Sequence, residues 1–268
     1  MSKGTNRIQV LGSAGYVGGQ KHGLWDFIYT TSTTRDPLYN VGDVVIAPSR
    51  GIFVYSKSSA ACISGQGAEF TYAGYTAYTA FTTTAAVGAR TVTVPAATHA
   101  TLTLDELRNG FIWIFDGSTN NVQFRQILGN AAAAANAAFE VNLDGPLTEA
   151  VTTSSCCETC QNPFAALRTG TMNYYPKAGV PAVKVTAAST YFWCQVGRIP
   201  SYCWVAPQGG KLGTTEGGYA GGFWSDVGNV SDANTSLGVT VAGGRGSQYA
   251  GNPVCGDADN IGPLFMLA

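Results

Sequence analysis

Three groups of residues in this chain have types and spacings that could do chemistry. The first is Ile8-Gln9-Val10-Leu11-Gly12-Ser13-Ala14-Gly15-Tyr16-Val17-Gly18-Gly19. A short apolar run followed by glycines at every third position is how a nucleotide-binding strand and turn begin. Glycine there lets main-chain amides close on a pyrophosphate at a helix N-terminus. That chemistry needs a helix directly after the turn, and Gly18-Gly19-Gln20-Lys21-His22-Gly23 is poor helix material. Asp36 stands near the spacing of a ribose ligand, but Pro37 follows it at once and no hydrophobic strand precedes it. The residues favour a flexible arm, and no cofactor is expected.

The second group is Cys156-Cys157-Glu158-Thr159-Cys160. Cys157 and Cys160 have the C-x-x-C spacing that lets two thiolates share one metal ion. A structural zinc site wants four ligands, and Cys194, Cys203 or His99 would have to arrive through the fold. A disulfide within the cluster is the alternative, and inert or partly exposed thiols are preferred to both, so no metal is expected. Cys62 and Cys255 complete a set of seven, an odd number without the spacing of a disulfide framework. No apolar signal core follows Met1-Ser2-Lys3-Gly4, so reduced thiols and no secretion are the expectation.

The third group is acids and histidines. His22 sits in the glycine-rich arm and His99 in a Thr/Ala loop, and no Gly-x-Ser-x-Gly elbow is present. The pairs Asp105-Glu106 and Asp257/Asp259 could do acid–base work but lie in polar surroundings that suit solvated surface better. Asn229 and Asn234 head glycosylation acceptors, which mean nothing without secretion. Trp193, Trp204 and Trp224 could stack on sugars, although packing is the commoner use of such residues. Together these predict a protein that is not an enzyme and has no catalytic residues.

The elements that must position these groups follow a period of two. Arg90-Thr91-Val92-Thr93-Val94, Phe139-Glu140-Val141-Asn142-Leu143-Asp144 and Val183-Lys184-Val185-Thr186 alternate, which places one face on a core and one in water. Phe111-Ile112-Trp113-Ile114-Phe115 is apolar throughout and predicts a strand covered on both faces. The turn formers Asp116 to Asn121 and the alternating Val122-Gln123-Phe124-Arg125-Gln126-Ile127 make it a hairpin with a loop of about six residues. Tyr191-Phe192-Trp193-Cys194-Gln195-Val196 is a further strand. Helix candidates are short: Leu102 to Asn109, with Thr103 as N-cap, Glu106 at the third helical position and Gly110 beyond the end, and one turn over Leu147 to Val151. Ala131 to Ala135 predicts a loop or a single turn.

This pattern predicts an all-β fold, a β-sandwich or β-barrel (jelly-roll-like) body over residues 31–205. An extended N-terminal arm covers 1–30. A Gly-rich, loop-dominated region, 206–268, packs on the body or on a neighbouring subunit. Only 12% of residues are charged, against about 25% in ordinary soluble proteins, so contact with other subunits is easier to explain than a solitary life. The net charge of −1 argues against a nucleic-acid groove, and no apolar run approaches the ~20 residues of a membrane span. Aromatics in the arm and the Gly-rich region, Tyr16, Trp25, Tyr219, Phe223 and Trp224, are the candidate interface residues.

Between residues 40 and 205 the order of signals resembles a family of tailed-bacteriophage virion proteins. It runs from Val87-Gly88-Ala89-Arg90-Thr91-Val92-Thr93-Val94 through Asn109-Gly110-Phe111-Ile112-Trp113-Ile114-Phe115-Asp116-Gly117 and Phe124-Arg125-Gln126-Ile127-Leu128-Gly129-Asn130. Val141-Asn142-Leu143-Asp144-Gly145-Pro146-Leu147 and Gln161-Asn162-Pro163-Phe164 follow. Gly179-Val180-Pro181 and Val185 to Val196 close the series. The resemblance implies a decoration or cement protein on the capsid surface, assembled in the host cytoplasm. Its implied partners are the major capsid protein and copies of itself, the latter expected as a homotrimer. The cysteine cluster and the C-terminal region depart from the family pattern. The alternative is a receptor- or glycan-binding module of a phage tail or head fibre.

Overall fold

Alternating apolar residues give the chain strands almost everywhere and no α-helix among the described residues. In this computed structural model residues 8–10, 16–17, 20–21, 26–47, 51–70, 74–115, 122–169, 177–196, 201–204, 222–224, 230–232, 249–255 and 264–267 are described. The first strands are β1 (Ile8–Val10), β2 (Tyr16–Val17), β3 (Gln20–Lys21), β4 (Val44–Ala47), β5 (Gly51–Lys57), β6 (Ala68–Phe70), β7 (Gly74–Ala80) and β8 (Thr91–Val94). Then come β9 (Phe111–Phe115), β10 (Val122–Asn130), β11 (Phe139–Leu143), β12 (Cys156–Cys160), β13 (Leu167–Thr169), β14 (Lys177–Pro181) and β15 (Tyr191–Val196). Last are β16 (Ser201–Trp204), β17 (Gly222–Trp224), β18 (Val230–Asp232), β19 (Tyr249–Cys255) and β20 (Leu264–Leu267). The expected all-β class, with a sandwich or barrel body, holds.

The chain forms two compact units: residues 1–6 with 72–163, and residues 7–71 with 164–268. The division falls inside the stretch 31–205. The arm and the Gly-rich region contribute strands where they are described: β1 pairs in parallel with β4, and β16 to β20 form a five-stranded sheet.

The 72–163 unit is built on the order β7-β12-β9-β10-β11-β8. Strand β10 turns the corner: residues 122–126 pair with β9, and from Ile127 onward, through an irregularity between Ile127 and Gly129, the strand pairs with β11. A bulge of this kind bends a strand and lets it serve two sheets. Residues 74–94 run antiparallel to 139–160 from end to end, through the Ala85–Val151 bridge and the bonds Gly88 N–H to Leu147 O and Leu147 N–H to Ala89 O. One ribbon therefore passes from sheet to sheet and closes the unit around its core. Val92, Val94, Ile112, Ile114, Ile127, Phe139, Val141, Leu143 and Cys157 fill that core.

The predicted helix over Leu102–Asn109 does not form. Glu106 does reach back, its Oε2 accepting the Thr103 N–H at 2.8 Å. However, Asp105 and Asn109 adopt left-handed φ of 61° and 64°, and the chain advances by turns. The buried Asn130 side chain causes this. Its Oδ1 accepts the Leu107 N–H at 2.7 Å and its Nδ2 donates to Thr103 O and Ala131 O, so the loop's main-chain groups find partners outside a helix. Gly110 follows because a Cβ there would collide with the carbonyls of Cys160 and Leu107. Leu147–Val151 likewise forms no helix, its ends being held by ladder bonds to Ala89 and Ala85. The alternation at Val183–Thr186 yields only a single bridge, Cys62 to Val185.

The other unit carries a seven-stranded sheet, β1-β4-β5-β15-β14-β6-β13. Strand β15 is buried on both faces. Trp193 packs with Ile28, Tyr39, Phe53 and Tyr55, while Phe192 and Cys194 pack with Cys62, Ala68, Leu167 and Val185. The Trp193 ring meets Tyr39 edge-on at 4.9 Å between centroids, a favoured arrangement for aromatic pairs. Burial pushes the Tyr55 phenol up to about 12 and the Cys62 thiol up to about 12.

Candidate interaction surface

Strand β9 defines the surface. Its burial alternates: Ile112 and Ile114 are 0% and 1% exposed inside the unit, while Phe111, Trp113 and Phe115 on the outer face are only partly covered. The outer face of β9 is less fully covered than the inner one, its three aromatics remaining partly exposed while Cys160, opposite Phe111 on β12, is buried. Registers with β12 and β10 set the outer residues in three transverse rows: Cys156–Phe115–Val122, Glu158–Trp113–Phe124 and Cys160–Phe111–Gln126. Neighbouring strands lie ~4.8 Å apart and alternate residues ~7 Å, so this is a continuous grid. Phe124 lies 5.1 Å from Phe111, nearly parallel, and 5.3 Å from Trp113. Val122 is 51% and Phe124 48% exposed. At roughly 200 Å² per aromatic side chain, Phe124 alone leaves about 100 Å² of apolar surface to solvent. Glu158 is the one charged residue in the grid.

The edge beside this face is guarded. Residues 122–125 have ladder partners only in β9, whereas the Gln126 carbonyl already accepts the Asp144 N–H. The Arg125 guanidinium donates to Phe124 O at 2.8 Å and to Pro146 O at 2.8 Å. Gln123 Oε1 accepts the Thr148 N–H at 2.8 Å, and its Nε2 donates to Glu149 O. Side chains thus satisfy an edge that would otherwise template pairing with another chain.

The residues singled out from sequence fall elsewhere. Cys157 points into the core and is 0% exposed. Cys160, an odd number of positions away on the same strand, belongs to the opposite face. The C-x-x-C pair is thus not brought together, since on a strand its members stand ~10 Å apart and point apart. No group of three or more metal-ligating side chains exists among the described residues. Burial raises the Cys160 thiol, helped by the nearby Glu158 charge, while the Phe111 backbone opposes it. His99 is buried with both ring nitrogens against carbonyls, those of Ala100 at 2.6 Å and Ala137 at 2.8 Å. It pins a loop. Trp193 is core, not a sugar platform.

After β1 comes the antiparallel pair β2–β3 where a nucleotide site needs a helix, and Asp36 spends its carboxylate on the Leu38 N–H. Tyr16 lies in β2, and Phe223 and Trp224 lie in β17. Trp25, Tyr219, His22, Asp257 and Asp259 lie outside the described residues.

One charged cluster escaped the sequence reading. Glu69, 0% exposed, accepts from Arg168 Nε and Lys177 Nζ, each at 2.9 Å. The three occupy facing positions on β13, β6 and β14. Nothing in the spacing of 69, 168 and 177 announces this, because only strand order makes them neighbours. Glu69 and Lys177 are buried, Arg168 is partly exposed, and all three are paired, which suits a structural tie better than a reactive site.

No protein-family model, no curated protein and no solved structure matches the chain.

Proposed function

We propose that this chain is a structural virion protein of a tailed phage that decorates or cements the capsid through contacts between subunits. The observation that carries the reading is the outer grid of β9, β10 and β12, an aromatic centre with one charge. Protein interfaces have this composition: aromatic side chains concentrated in the middle, charges depleted, a polar rim. The low charge of the whole chain supports the same reading, and the order of strand and turn motifs supplies the phage context. The work asks for no catalytic group. The partners are the major capsid protein and further copies of the chain, gathered as a homotrimer at a threefold position of the shell. Many weak contacts repeated on a symmetric lattice then sum to firm attachment.

Co-sedimentation with capsid shells assembled from the major capsid protein tests this. The intact chain should pellet with the shells, and the double variant Trp113→Ser/Phe124→Ser should stay in the supernatant with an unchanged far-ultraviolet spectrum. Equal pelleting of both proteins would remove the grid as the contact. No pelleting of the intact chain would remove the capsid role.

A further inference from the structure

Three pairs in this chain join an acid or its amide to glycine: Asn109-Gly110, Asp116-Gly117 and Asp144-Gly145. Such pairs can rearrange without an enzyme. The glycine nitrogen attacks the side-chain carbonyl carbon, and glycine hinders this least because it has no Cβ. In a free peptide the asparagine pair reacts first, since an amide carbon is a better electrophile than a carboxylate. Asp116 and Gly117 lie outside the described residues. The fold treats the other two pairs in opposite ways.

Asn109 is 2% exposed. All four main-chain polar groups of its pair are bonded. The Asn109 N–H donates to Ile127 O at 2.8 Å and the Gly110 N–H to Leu107 O at 2.9 Å, while Gly110 O accepts the Ile127 N–H at 2.8 Å. Asn109 O accepts from Asn162 Nδ2 at 2.9 Å. The nitrogen that would attack is thus engaged, and rearrangement has to wait until this part of the unit opens.

Asp144, just after β11, is exposed. Neither its carboxylate nor the Gly145 N–H has a partner among the described residues. The Asp144 N–H donates to Gln126 O at 3.0 Å, and Asp144 O accepts one long bond of 3.4 Å from Arg90. The Arg125 guanidinium donates to Pro146 O, and its Nε would stand 3.6 Å from a Cβ placed on Gly145. A cation therefore lies beside the attacking nitrogen and favours loss of its proton.

We infer that Asp144 is a site of spontaneous backbone rearrangement in the folded protein, and that the fold reverses the order in which the two pairs react. A bond forms between Gly145 N and Asp144 Cγ, a Cγ–O bond breaks, and the oxygen leaves as water with the amide proton and the acid proton. The product is a succinimide. One water then adds back. Opening at the side-chain carbonyl restores aspartate. Opening at the main-chain carbonyl gives isoaspartate, in which the chain runs through the side chain and is longer by one carbon. That carbon falls between the bonds Leu143 N–H to Arg90 O and Leu147 N–H to Ala89 O. It lies beside the Arg125 guard of the β10 edge, so the change reaches the margin of the aromatic grid. The chemistry is independent of the capsid role.

The test is to hold the full chain at 37 °C and pH 7.4 for several weeks and then map its tryptic peptides. The peptide 126–168 contains Asp144-Gly145 and neither of the other pairs. Isoaspartyl methyltransferase and electron-transfer fragmentation read its isoaspartate. In the folded protein this product should exceed deamidation at Asn109 about tenfold or more, because Asn109 reacts only on opening. In guanidinium chloride with a reductant the order should reverse. Gly145 has no left-handed φ, and a Cβ there makes only ordinary contacts. Gly145→Ala should therefore keep the far-ultraviolet spectrum and lower the Asp144 product severalfold. Absence of isoaspartate at Asp144 would overturn the inference. So would an undiminished product in Gly145→Ala, or deamidation of Asn109 as fast in the folded chain as in the unfolded one.

Discussion

Strands β9 and β15 have the same apolar character and different fates. Phe-Ile-Trp-Ile-Phe predicts burial on two faces, and Tyr-Phe-Trp-Cys-Gln-Val predicts a strand. Strand β15 is the one buried on both faces: Trp193 faces one core and Phe192 and Cys194 another. For β9 only Ile112 and Ile114 face a core. The difference teaches that an apolar strand pattern does not fix how completely the second face is covered: that depends on which other elements reach it. It also places the candidate site where the local pattern and the tertiary structure disagree, which is where function tends to depart from folding rules.

The contrast can be broken most sharply at its two tryptophan neighbourhoods. Trp193→Ala should cost about 3–5 kcal/mol by leaving a cavity among Tyr39, Tyr55 and Phe53. Phe124→Ser should cost ~1 kcal/mol or less in urea unfolding and act on shell binding instead. Equal stability losses would mean that the β9 face is as well covered as β15. Within β9 itself, Ile114→Ala should cost about 2–4 kcal/mol, separating the inner face from the outer.

Next in size is the guarded edge. Gln123→Ala removes the acceptor for the Thr148 and Glu149 N–H groups and should lower stability by about 1–3 kcal/mol, with more aggregation on concentration by light scattering. A soluble, unchanged variant would show that the edge needs no guard.

Cysteine labelling sharpens the alternation further. With iodoacetamide at pH 8 and peptide mapping, partly exposed Cys156 should react, while Cys157 and Cys62 stay protected until denaturant is added. Fast labelling of Cys157 would contradict its place in the core. The smallest effect is on pH. Cys62 is raised from 9.0 to about 12, so the unfolded chain loses this proton first and the folded chain binds more protons between those values. Stability should therefore be full below about pH 9 and fall as pH rises toward about 12. Tyr55, raised from 10.0 to about 12, adds to the fall over its own range. Thermal melts across that range, with Cys62→Ala for comparison, read the slope; a flat profile would mean that neither group is held neutral by burial.

Much of the fold was legible because a period of two is a local signal. The hairpin of β9 and β10 closes Phe115 on Val122, around the expected six-residue loop. What failed was decided at a distance. The Thr103–Gly110 segment carries a good helix start, yet Asn130, more than twenty positions on, captures the groups a helix would have used. The candidate site was half legible: Phe111, Trp113 and Phe124 were visible as strand residues, but how far each is exposed is set by tertiary contacts that the local pattern does not encode. Glu69, Arg168 and Lys177 were invisible, because no local rule links residues 99 and 108 positions apart.

That same trio sits at a junction. The chain leaves the larger unit after β6 and returns to it on β13, and these strands are paired, Phe70 opposite Leu167 and Glu69 opposite Arg168. Residues 72–163 are thus inserted between two strands held a strand's width apart by ladder hydrogen bonds and the partly buried Glu69–Arg168 ion pair. A short turn in place of residues 72–163 would leave the paired stems of β6 and β13 joined as they are, so insertion at this point is compatible with an unchanged ladder.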